Sequence, residues 1–250
     1  MQNDPPLLIM ADIPQTFCLT SLTLSDQASE IIRLTPSQHQ NCDRLDAMIG
    51  GMTFILTRHS AENIHQDFPM ADLEFIFYEP SEKKLSGIAI SHGEHIASAK
   101  HSGTVNRALL QLAKHVGQAI EAASIIWRPA QLQIGFDYFI GATDHYISGG
   151  PFPVLAQIAI SETTEGLFQT SGLSYFSEQE IRISAPPGYA PNEVVKRLVR
   201  IAHDIATNGK IDTKIETEGF VQGEKLSIIP HTDHEFVDVA IVADEPRPLH

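Results

Sequence analysis

Thr104-Val-Asn-Arg-Ala-Leu-Leu-Gln-Leu-Ala-Lys-His-Val-Gly-Gln-Ala-Ile-Glu-Ala122, followed at once by Ala123-Ser-Ile-Ile-Trp-Arg128, is the stretch that decides the fold class. Val105, Ala108, Leu109, Leu112, Val116, Ala119 and Ile120 recur at steps of three and four, which lines them along one face of a helix. Thr104 follows Gly103 and reads as its N-cap. The six residues after the helix are short, apolar and β-branched, and Pro129 stops them, so they read as a strand. A second helix of the same kind runs from Pro191 to Asn208. It has Pro at its first position and Glu193 in its first turn, Val194, Val195, Leu198, Val199, Ile201, Ala202 and Ile205 on its stripe, and Asn208-Gly209 as its stop.

The remaining elements group around these two helices. Residues 16–24, 52–57 and 85–91 read as strands, residues 26–34 as a short helix capped by Ser25 and closed by Pro36, and residues 136–143 as a further short helix. Residues 72–78 suit either element. Beyond Gly149-Gly150-Pro151, residues 153–161, 167–175 and 180–184 read as strands before the second helix, and 214–218, 225–229 and 236–242 after it. A parallel doubly wound fold would want a helix after nearly every strand. Strands with one long helix per group and hairpin-length links give an α+β protein instead, antiparallel sheets with helices packed on one face. We expect a single compact domain over residues 1–250, with pseudo-halves 16–150 and 151–245 as a finer division, each ferredoxin-like.

Composition bounds the function. Of 250 residues, 42% are hydrophobic and 19% charged, a globular balance. Seventeen Lys and Arg stand against 31 Asp and Glu, a net charge of −14. Scattered basic residues, densest at Lys196, Arg197 and Arg200, do not make a nucleic-acid footprint or a polybasic membrane patch. The start lacks a basic n-region, and Leu7-Leu-Ile-Met-Ala11 is too short for the apolar core of a signal peptide. Cys18 and Cys42 have no CxxC partner and read as two reduced thiols, which with the missing signal points to the cytoplasm.

Phe168-Gln-Thr170-Ser-Gly172-Leu173-Ser-Tyr-Phe176-Ser-Glu-Gln-Glu180-Ile resembles a bacterial family known as domain of unknown function 4261, which carries a T-x-G-L segment and then an acidic residue opening a strand. The helix ending at Ala122 with its apolar strand, the helix of residues 191–208 and the turn Ile215-Glu-Thr217-Glu-Gly219 agree in order. Phe68-Pro69-Met70 and Phe75-Ile-Phe77-Tyr78 stand where the family has a Trp-rich stretch. The resemblance covers residues 52–220. It implies a fold and, since the family has no established activity, no reaction.

Candidate sites follow from residue chemistry. The chain has 12 His. His92-Gly-Glu94-His95 and His231-Thr-Asp233-His234-Glu235 each gather imidazoles and carboxylates, and each could supply half of a zinc site. Neither has the H-E-x-x-H or H-x-x-E-H spacing, so the bland reading of solvated loop residues is the stronger. Thr170, Gly172 and Glu180 are candidate binding residues, but the stronger reading has Glu180 hydrogen-bonding backbone or Thr170 across a hairpin, with Gly172 marking a close approach. Trp127 reads as a core residue, or alternatively as a stacking platform. His115 and His203 read as boundary residues of their helices. No G-x-S-x-G, P-loop or G-x-G-x-x-G occurs, so the sequence names no catalytic residue and implies no cofactor. The first expectation is therefore a non-enzymatic module for a protein or small-molecule partner. A metal-dependent hydrolase on the His clusters and a structural subunit of an oligomer are the alternatives.

Overall fold

The computed structural model describes residues 4–36, 42–69, 72–164, 166–184, 186–232 and 235–243. They form two compact units, Met1–Pro151 and Phe152–His250. Both are α+β with mainly antiparallel sheets, as the strand–helix order implies.

The first unit has strands β1 (Leu7–Ala11), β2 (Ile32–Pro36), β3 (Arg44–Ile49), β4 (Met52–His59), β5 (Glu74–Ile76), β6 (Ser86–His92), β7 (Ser124–Trp127) and β8 (Leu132–Gly135). They lie in the order β2-β3-β4-β6-β1-β7-β8-β5, antiparallel except for β5 against β8. Helices α1 (Asp26–Ile31), α2 (Ile64–Asp67), α3 (Gly103–Ala119) and α4 (Phe136–Ile147) complete it. The stripe of α3 is buried from Val105 to Val116, and the helix meets β1, β3, β4 and α4. Ala119 is exposed and Ile120 is the C-cap, so the helix stops short of the expected Ala122. Across the sheet, Leu8, Met10, Ala89 and Ile126 pack with Ile64 of α2 and with Phe68. That second layer explains why every residue of β1 is apolar: the strand is buried on both faces.

The second unit has α5 (Val154–Gln157), β9 (Ala159–Thr164), β10 (Leu167–Ser171), α6 (Ser174–Ser177), β11 (Glu180–Ser184), α7 (Pro191–Asn208), β12 (Ile215–Glu218), β13 (Glu224–Pro230) and β14 (Phe236–Ala243). Its sheet runs β12-β13-β14-β11-β10-β9, and only β11 and β14 are parallel neighbours. Alternate residues Phe168, Thr170, Ile181, Ile183, Val237 and Val239 are buried, and α7 rests on β10 and β11. Sheets of eight and six strands do not reproduce the four-stranded βαββαβ pattern of ferredoxin-like halves.

Several local expectations are corrected. Residues 16–24 carry no strand; a 3-10 turn, Leu19–Ser21, occupies them. Their β-branched composition suits a pleated surface, yet composition supplies no pairing partner. The helix after Ser25 ends at Ile31, and β2 takes over. Residues 153–161 open with the turn of α5, and pairing begins only at Ala159. Ser102, not Thr104, caps α3, its hydroxyl accepting from Thr104 N at 3.3 Å. Cys18 and Cys42 are not free thiols. They form a disulfide with Cα atoms 5.1 Å apart, which removes the redox argument for a reducing compartment. No helix among the described residues is long and apolar enough to cross a membrane.

Candidate functional site

The T-x-G-L segment and Glu180 come together where β10 turns into β11. Gly172 has φ +93° and Glu178 φ +63°, so the chain curls between the strands around α6. The curl points three N–H groups at the Glu180 carboxylate, which accepts from Gly172 N at 2.8 Å, Leu173 N at 3.3 Å and Ser174 N at 2.9 Å. The Thr170 hydroxyl donates to it at 2.7 Å and accepts from Ile181 N at 2.7 Å. A neighbouring clamp repeats the logic: Gln179 donates to Ile211 O at 3.0 Å and accepts from Ile211 N at 2.8 Å. Charge-assisted bonds from a ring of amides fix a turn firmly. The carboxylate is engaged by its own chain, so Thr170, Gly172 and Glu180 form an internal strap.

The other singled-out residues each have their own surroundings. Trp127 lies on β7 in the first unit at 1% exposure, with both ring faces inside the core, so it is no stacking platform. His92 ends β6 opposite Phe54, 4% exposed, with ring centroids 5.7 Å apart. Burial, with Lys100 and His101 adding repulsion, pushes its pKa down to about 4, so the imidazole is neutral at pH 7. His95 turns elsewhere, its Nε2 accepting from Thr53 N of β4 at 3.4 Å. His231 follows β13, with its backbone N–H donating to Phe236 O at 2.8 Å, while Asp233 and His234 lie outside the described residues. Among the described residues, no group of three or more His, Cys, Asp or Glu is gathered to hold a metal. His203 accepts from Phe152 N at 3.2 Å through Nδ1, which leaves Nε2 protonated in the neutral ring.

The chain matches no family model, no curated protein and no solved structure.

Two features escaped the sequence reading. Arg197 of α7 is buried and grips Glu224 of β13 with Nε to Oε1 at 2.8 Å and Nη2 to Oε2, a bidentate pair. Phe220 N and the Tyr189 hydroxyl also donate to the carboxylate, at 3.1 and 3.2 Å. Burial alone would raise the Glu224 pKa; the Arg197 hydrogen bond outweighs it, with help from Phe220, the Arg197 charge and Tyr189, and the net direction is down. The signal was available: Arg197 falls on the stripe Val194, Leu198, Ile201, Ile205, where only a paired cation is tolerated.

The second feature is a groove of about 700 Å³ beside β2, an edge strand of the first sheet. Leu22, Leu24, Ile31, Arg33, Met48 and the Gly50-Gly51 turn are among the residues that line it. Ile31 and Met48 stay 43% and 39% exposed. Its volume lies in the range of small ligand sites. On its outer side, β2 has no strand partner among the described residues, so main-chain donors and acceptors run alongside apolar side chains. A smaller groove of about 610 Å³ crosses the second sheet, where Arg182 bonds Asp238 at 3.0 Å and stacks on Phe236.

Proposed function

We propose that the chain is a non-enzymatic binding module whose first unit takes an extended segment of a partner protein in the groove beside β2. The observation that carries this reading is the coincidence of an unpaired strand edge with the exposed side chains of Ile31 and Met48. A segment laid along β2 satisfies its own backbone there, while alternate side chains enter the groove. With a net charge of −14, encounter is fastest with a cationic partner. The resemblance to domain of unknown function 4261 enters through Thr170, Gly172 and Glu180, whose strap keeps a turn in shape.

The test is selection of short peptides from a display library against the native protein and against an Ile31→Glu, Met48→Glu variant. Selected peptides should bind the native protein and lose at least tenfold in affinity for the variant, about 1.4 kcal/mol. Peptides that bind both proteins equally, or a library that enriches nothing, would reject the reading.

A further inference from the structure

We infer that the Cys18–Cys42 bridge is a thiol–disulfide exchange site that latches the loop lining part of the β2 groove. The bridge joins residues 24 apart in sequence. The loop it closes carries the 3-10 turn Leu19–Ser21, α1 and β2, and with them the lining residues Leu22, Leu24, Ile31 and Arg33. Met48 and the Gly50-Gly51 turn, which also line the groove, lie outside that loop. One covalent bond therefore fastens the loop's share of the lining to the approach to β3. A hydrogen bond from Leu19 N to Cys42 O, 2.9 Å, runs beside it.

The chemistry is directional. Cys42 is exposed and Cys18 is half-buried, so a small thiolate of the glutathione class reaches the Cys42 sulfur first. Its sulfur bonds to Cys42 Sγ, the protein S–S bond breaks, and the electron pair leaves on Cys18 Sγ. The Thr20 hydroxyl, 2.9 Å from that sulfur, is placed to donate to the departing thiolate. A second thiolate then attacks the small-molecule sulfur of the mixed disulfide and releases Cys42. In sum two small thiols become one small disulfide, and the protein gains two thiols.

Opening the latch does not unfold the unit. Leu19, Leu22, Leu24 and Ala28 remain as buried apolar anchors of the loop. What is lost is the restraint on the free chain, which for a loop of this size amounts to roughly a hundredfold in the local opening equilibrium. The latch regulates the groove proposed above and rests on that reading for its purpose; its structural effect stands independently.

Amide hydrogen exchange of the full chain, oxidised and then reduced in place with excess glutathione, tests it. The amides of Leu19, Ser21, Leu22 and Ile32 should exchange up to roughly a hundredfold faster after reduction, with those of α7 unchanged. A Cys18→Ala, Cys42→Ala variant should match the reduced protein without any thiol. Equal exchange in both states, or two free thiols counted in the air-oxidised protein, overturns the latch. Faster exchange with no peptide selected at the groove keeps the latch and discards the docking reading, and selected peptides with redox-indifferent exchange do the reverse.

Discussion

Arg197 and Glu224 show what one pair of side chains does inside an apolar layer. Two desolvated charges gain little over well-packed hydrophobes, but removing one partner strands the other. Arg197→Ala should therefore cost about 3–5 kcal/mol in urea unfolding, while an Arg197→Met, Glu224→Leu double variant should recover much of that loss. Because the Glu224 pKa is lowered on folding, the pair's contribution is present above the carboxylate's unfolded value and fades as pH falls through its folded one. His92 has the same sign against pH, although here folding favours the neutral form. Its pKa falls from 6.5 to about 4 on folding, so between these values the unfolded chain binds more protons. Stability should climb across that window by about 3 kcal/mol and be level above it. Denaturation of His92→Leu at several pH values should show that slope removed, and an unchanged slope would assign it to other groups.

The long helices were readable from period alone. Residues 191–208 fold as α7 with the bounds their Pro and Asn-Gly signals imply, and the stripe of α3 is buried from Val105 to Val116. Leu112 and Leu198 are wholly buried, so Leu112→Asp or Leu198→Asp places an unpaired carboxylate in a core and should abolish soluble expression. A soluble variant with a cooperative melt would mean the helix faces are misassigned. Strands were readable where alternation or an apolar run was long, as in β4, β6 and β11. They failed where pairing decides. Residues 16–24 have strand composition and no ladder, while Leu7–Ala11, noted only as too short for the apolar core of a signal peptide, is a central strand. The Thr170–Glu180 strap was anticipated because its residues lie within one hairpin. The groove was not, since its lining comes from separate elements.

Among the described residues the second unit contains its own pairing: β9 to β14 bond to one another, the stripe of α7 rests on β10 and β11, and the ion pair ties α7 to β13. A fragment of residues 152–250 should thus show a cooperative urea transition by far-UV circular dichroism; a broad, non-cooperative loss of signal would mean that its core is incomplete. Helix faces, turn positions and the α+β class depend on neighbours within a few residues, so periodicity and capping chemistry were enough to set them. Which strands lie side by side did not follow from such neighbours. Leu7 pairs with Ile90 and with Trp127, Cys18 meets Cys42, and Arg197 finds Glu224, each across long stretches of chain. Those meetings depend on how whole layers bury their apolar faces together, a property of the folded body that no short window of residues contains.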